Sequence, residues 1–111
     1  MIDDQRLKTL MHITDAKESV QEILATGKTR HKAKRLKELQ DCLERIEGDL
    51  SVTALDQSLS ELREYQQELF GIDSEIERDQ PEMKSVAKKV EHAAREIGAV
   101  IELAAKVAPP P

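Results

Sequence analysis

The chain has 111 residues, 39% of them apolar, and its only aromatic side chains are Tyr65 and Phe70. That supply suits one domain with a modest, aliphatic core, and four glycines with four prolines are too few for a loop-rich fold. A formal charge of −5, with 35% of residues charged, argues against a general binder of phosphate backbones and fits the composition of long packed helices. Cys42 is the single cysteine, so no internal disulfide forms, and a reducing, cytoplasmic setting is the expectation. The opening Met1-Ile2-Asp3-Asp4 lacks the apolar core of a secretory signal, and no apolar run approaches the ~20 residues of a membrane span. No stretch alternates polar and apolar residues in the manner of a strand. The expected fold is all-α: an antiparallel bundle of about four helices over residues 1–108, packed through heptad stripes, with a proline tail at 109–111.

Helix one is expected to begin at Asp3 or Asp4, where a carboxylate complements the helix dipole. Its seam reads Leu10, Ile13, Val20 and Leu24, flanked by Ala16 and Ile23. Lys17 falls within that seam, its stem packing while the ammonium reaches outward. Gly27 is placed to terminate the helix.

Six of the 17 basic side chains then crowd into ten residues: Lys28, Arg30, Lys32, Lys34, Arg35 and Lys37, joined by His31 and interrupted by no acid. The remainder of the chain holds eleven basic against 22 acidic side chains, so the molecule is dipolar. These cations fall in the first turns of helix two, the positive end of its dipole, which disfavours them by ~0.3–1 kcal/mol each. Such violations of local preference concentrate at functional sites, which makes the seven residues the candidate partner-binding set. Three roles stay open for them: a solvated or internally neutralised surface, an anionic protein partner, or nucleic acid. No aromatic accompanies the segment to stack on bases, which weighs against the third.

Helix two carries Leu36, Leu39, Leu43, Ile46 and Leu50, with Cys42 expected as an inert, half-buried residue, and ends at Gly48-Asp49. Leu24 to Leu36 and Leu43 to Leu55 each span twelve residues, out of step with a heptad, so turns belong at both glycines. Helix three should start near Ser51 or Thr53, where Thr53 and Asp56 approximate a capping box. Leu55, Leu62, Leu69 and Ile76 recur every seven residues, with Leu59, Tyr65 and Ile72 alongside, and the phase carries the helix through Gly71. At Asp79-Gln80-Pro81-Glu82 a fresh N-terminus is expected, with Asp79 as cap and Pro81 in the first turn. Because Ile76 and Met83 share one phase, the alternative is a single kinked helix of about 80 Å. Helix four holds the richest stripe: Met83, Val90, Ile97 and Ala104; Val86, Ala93, Val100 and Val107; and Ala87, Ala94, Ile101 and Ala108.

No catalytic, cofactor or metal signature stands out. Gly27-Lys28-Thr29 resembles the end of a P-loop, but it follows a helix and lacks the upstream glycine, Glu22 standing in its place. His12, His31 and His92 have no acid three residues before them, so bundle di-iron motifs are missing. Asp41–Arg45, Glu91–Arg95 and Glu102–Lys106 read as i,i+4 pairs. The functional expectation is a non-enzymatic protein–protein interaction module, acting as an adaptor, a chaperone-like protein or an inhibitor subunit, without cofactor and self-associating as a dimer. Two rivals remain: a nucleic-acid-linked regulator working through residues 28–37, and an acidic immunity-type inhibitor.

Overall fold

In the computed structural model, residues 3–27 and 29–107 are described, and the side chains of 3–5, 30, 52 and 107 are left aside. Four helices form: α1 (Asp3–Ala25), α2 (Ala33–Gly48), α3 (Val52–Asp79) and α4 (Lys84–Val107), with 3-10 turns at Arg30–Lys32 and Pro81–Met83. Lys28, Ala108 and the proline tail at 109–111 lie outside the described residues.

Each helix begins and ends for a local reason. Gly27 takes φ +67°, the left-handed conformation that closes α1, while the amides of Thr26 and Gly27 donate to the carbonyls of Ile23 and Leu24. Ser51 caps α3, its Oγ accepting from the Ala54 amide at 3.1 Å. The Thr53–Asp56 box therefore does not form the cap: Thr53 already lies within the helix. Asp79 likewise does not cap α4. It is the last residue of α3 and pairs with Arg78, and the position before Pro81 is taken by Gln80, whose amide donates to the Ile76 carbonyl at 2.8 Å.

Cross-helix bonds give the topology. Thr14 Oγ1 donates to Glu47 and Gln40 Nε2 to the Lys17 carbonyl, so α1 and α2 run antiparallel. Arg45 meets Glu61 and Arg35 meets Glu68, which reverses α3 against α2. On α4, Glu96 pairs with His12 of α1 at 2.6 Å, and Lys89 lies 3.7 Å from Glu22. The result is an up-down-up-down ring in which α1 and α3 each pack closely on α4, α2 packs on α1, and α2 meets α3 more sparsely. The molecule measures 43 × 24 × 22 Å. At ~1.5 Å per residue, α3 alone accounts for the long dimension, so the hairpin forms and the kinked long helix does not.

The core is aliphatic, as composition demands, and includes Ile13, Val20, Leu39, Leu43, Leu55, Leu62, Leu69, Val90, Ile97 and Val100. In α1 the expected seam is displaced by one residue. Thr9, Ala16 and Ile23 form the buried column beside Ile13 and Val20, whereas Leu10, Lys17 and Leu24 sit at its margin. The small side chains Thr9 and Ala16 face a helix rich in alanine, which lets α1 and α4 approach closely. Lys17 behaves as its stem requires: partly covered, it carries its ammonium to Glu47 at 3.0 Å. Leu50, Leu59, Ala87 and Ile101 are partly buried at the edge of the core.

Candidate partner-binding surface

The basic segment opens with a 3-10 turn rather than a capped helix. The Lys32 amide donates to the Thr29 carbonyl at 2.9 Å, and Thr29 itself is buried. Lys32 stands at the N-cap of α2 without a side-chain cap bond, and no acid occupies the first turn. The unfavourable charge placement read from the sequence is therefore real, and it is compensated from the neighbouring helix.

Arg35 Nε donates to both carboxylate oxygens of Glu68 at 2.9 Å, and its terminal nitrogen donates to Glu38 at 2.5 Å. The guanidinium also lies 4.8 Å above the Tyr65 ring, within cation–π range. Hydrogen bonds to Glu38 and then Glu68 hold its charge more firmly than usual. His31 Nε2 reaches Glu75 at 3.2 Å. With Arg45–Glu61 at 3.1 Å, these contacts make a ladder along the seam between α2 and α3. Arg45 thus turns to Glu61 and not to Asp41 as expected; of the three expected i,i+4 pairs among the described residues, Glu91–Arg95 forms, at 2.5 Å.

The ladder divides the seven candidates. His31 and Arg35 are committed to α3, Lys28 lies outside the described residues, and of Arg30 only the backbone is described. Lys34 and Lys37 are exposed one turn apart on the outer face of α2, and Lys32 is half-exposed beside them. No acid among the described residues lies within ion-pair distance of these three lysines. Exposed Asp41 and Glu44 end the strip one turn further on.

Sequence reasoning missed the acceptors. Glu61, Glu68 and Glu75 recur every seven residues, each one position before Leu62, Leu69 and Ile76 of the apolar stripe. That register puts all three at the flank of the stripe facing α2, and the heptad spacing is the signal that identifies them.

Two other features belong to the surface. Cys42 is buried, not half-buried; burial, with the charge of Glu61 added, pushes its thiol up to about 11 against the opposing pull of Arg45. Tyr65, also buried, donates to Glu61 at 3.3 Å and is pushed up to about 12, first by burial and then by that carboxylate. At the hairpin of α3 and α4 a groove of about 290 Å³ is lined by Asp73, Glu77 and Glu91 together with Lys84, Lys88 and an apolar floor including Ile76 and Pro81. Burial, followed by the charges of Glu77 and Glu91, raises the Asp73 carboxyl above its usual range. No group of three His, Cys, Asp or Glu side chains placed to hold a metal ion occurs among the described residues, and no helix among them is long and apolar enough to cross a membrane. No protein-family model, curated protein or solved structure matches the chain.

Proposed function

We propose that this bundle is a non-enzymatic protein-interaction module whose outer α2 face, Lys32, Lys34 and Lys37, receives an acidic surface of another protein in the cytoplasm. The observation that carries the reading is the division of charge within one segment: the cations that the fold needs are paired with α3, and three others face outward without acids. Charge complementarity of that kind accelerates encounter more than it deepens affinity. The aromatic nearest the segment, Tyr65, is buried under Arg35 and offers no face to a base, which favours a protein partner over nucleic acid. Self-association belongs to the same reading, supported by large apolar side chains left exposed on the bundle's exterior, Leu7 and Met11 among them.

The test is copurification from the native host, followed by reversal of Lys32, Lys34 and Lys37 together to Glu. Arg35 is left intact because its loss would strip Glu38 and Glu68 of their partner. The triple variant should keep the wild-type melting temperature, or gain slightly from acids near a helix N-terminus, and should lose its partner chiefly through slower association. Gel-shift assays at about 150 mM salt and micromolar protein should show no complex with DNA or RNA. Undiminished partner binding by the triple variant overturns the reading, and a salt-sensitive shift that the reversal removes replaces it with the nucleic-acid one.

A further inference from the structure

α1 and α4 carry stripes of opposite charge along one face of the bundle. On α1 the stripe holds Asp15, Glu18 and Glu22, on α4 Lys88, His92 and Arg95, and all six are exposed. Spacings of three and four keep each set on one side of its helix. The contacts His12–Glu96 and Lys89–Glu22 fix the height of one helix against the other. In that antiparallel register Asp15 stands level with Arg95, Glu18 with His92, and Glu22 with Lys88. The match persists where the signs reverse, since exposed Lys8 of α1 is level with exposed Glu102. Asp4, of which only the backbone is described, falls one turn before Lys8 and level with Lys106. Met11, 59% exposed, is level with half-buried Ala99, and Leu7, 58% exposed at the edge of the face, with half-buried Leu103. The bundle itself uses little of this pattern. Arg95 pairs with Glu91 of its own helix, and Glu22 lies near Lys89. Asp15, Glu18, Lys88 and His92 have no ion-pair partner among the described residues.

We infer that the α1–α4 face packs on the same face of a second copy, about a two-fold axis parallel to the helices. Such an axis leaves every residue at its own height and exchanges the two helices, so α1 of each copy lies antiparallel on α4 of the other. Residues that are level within one copy therefore face each other between copies. The acids of α1 meet the bases of α4, Lys8 meets Glu102, and Met11 meets Ala99, each contact occurring twice. The apolar end of the face, Leu7 and Met11 with Ala99 and Leu103, lies against the same end of the second copy. The charges select this axis. A two-fold axis across the helices would instead lay the mainly acidic stripe of α1 on itself and the mainly basic stripe of α4 on itself. With two helices from each copy and an apolar patch at one end only, the contact belongs to the smaller class of specific interfaces, burying on the order of 1,200 Å² in total. The inference rests on the self-association part of the proposed function and supplies its location.

Sedimentation of the full chain across concentrations tests it. The wild type should dimerise with a dissociation constant on the order of 10 μM. One double variant, Asp15→Lys with Glu18→Lys, reverses the α1 stripe; another, Lys88→Glu with Arg95→Glu, reverses the α4 stripe. Each alone faces like charge across the interface and should dimerise at least tenfold more weakly. An equimolar mixture of the two should recover dimer, because in the mixed pair both contacts are again between opposite charges. All four positions are exposed, so helical content and melting temperature at about 1 μM, where the chains are monomeric, should stay close to wild type and serve as the folding control. A dimer insensitive to the α4 reversal, or a mixture that does not recover, overturns the placement on the α1–α4 face and leaves self-association standing. A wild type that remains monomeric up to about 1 mM overturns both. The lysine strip on α2, tested separately, stands or falls by its own variant.

Discussion

Burial holds Cys42 and Tyr65 neutral well past the pH at which each ionises in an unfolded chain. The unfolded thiol, with an ordinary value of 9.0, releases its proton two pH decades before the folded one near 11, and Tyr65 follows between 10.0 and about 12. The stability these groups contribute is complete below pH 9 and is lost as pH rises through the folded values. For Cys42 that loss is on the order of 2–3 kcal/mol. Urea midpoints at pH 8 and pH 11 should therefore differ in the wild type, and Cys42→Ala should shrink the difference while lowering the pH 8 midpoint modestly through its small cavity. An unchanged alkaline loss in Cys42→Ala would show that the thiol is not shielded. The same environment makes Cys42 a packing residue, since its thiolate is scarce at neutral pH.

Helix ends separate two glycines that look alike in the sequence. Gly27 has φ +67°, a conformation an alanine reaches only under strain, so Gly27→Ala should cost about 1 kcal/mol although no atom stands within 4 Å of the added methyl. Gly71 lies on the exposed side of α3 with equally open surroundings, and Gly71→Ala should stabilise by about 0.5–1 kcal/mol. Opposite signs in paired thermal melts are the expected result; the same sign for both contradicts the assignment of turn and helix interior. At this scale the sequence was most legible where aliphatic residues recur without interruption, as in α4 and in α3 through Gly71. Legibility failed where polar residues do apolar work. Thr9 completes a buried column of α1, so reading apolar letters alone rotated the seam by one residue toward Leu10 and Leu24. It failed also at caps, because Thr53 and Ser51 offer the same hydroxyl two residues apart and only backbone geometry decides between them. In the candidate surface, the concentration of cations was plain, but which of them remain outward depended on Glu61, Glu68 and Glu75 of another helix.

As a whole molecule the bundle is unevenly joined. α1 and α3 each bury a continuous aliphatic stripe against α4, while α2, at 16 residues the shortest of the four α-helices, packs on α1 and meets α3 across the ladder of Arg45–Glu61, Arg35–Glu68 and His31–Glu75. Partly exposed ion pairs are screened by salt, and aliphatic burial is not. The α2–α3 seam, with three such pairs, is consequently the most responsive to ionic strength, while in the α1–α4 seam the pairs His12–Glu96 and Lys89–Glu22 add to extensive aliphatic burial. Amide hydrogen exchange should register this as a hierarchy: protons of α2 leaving before those of α4, with the gap widening as salt rises from about 0.05 to about 0.5 M. Uniform exchange at both salt levels would mean that the four helices open as one cooperative unit. The face that carries Lys32, Lys34 and Lys37 thus rides on the helix most responsive to its ionic surroundings, so an approaching polyanion meets a surface whose looseness depends on the same screening that governs its own attraction.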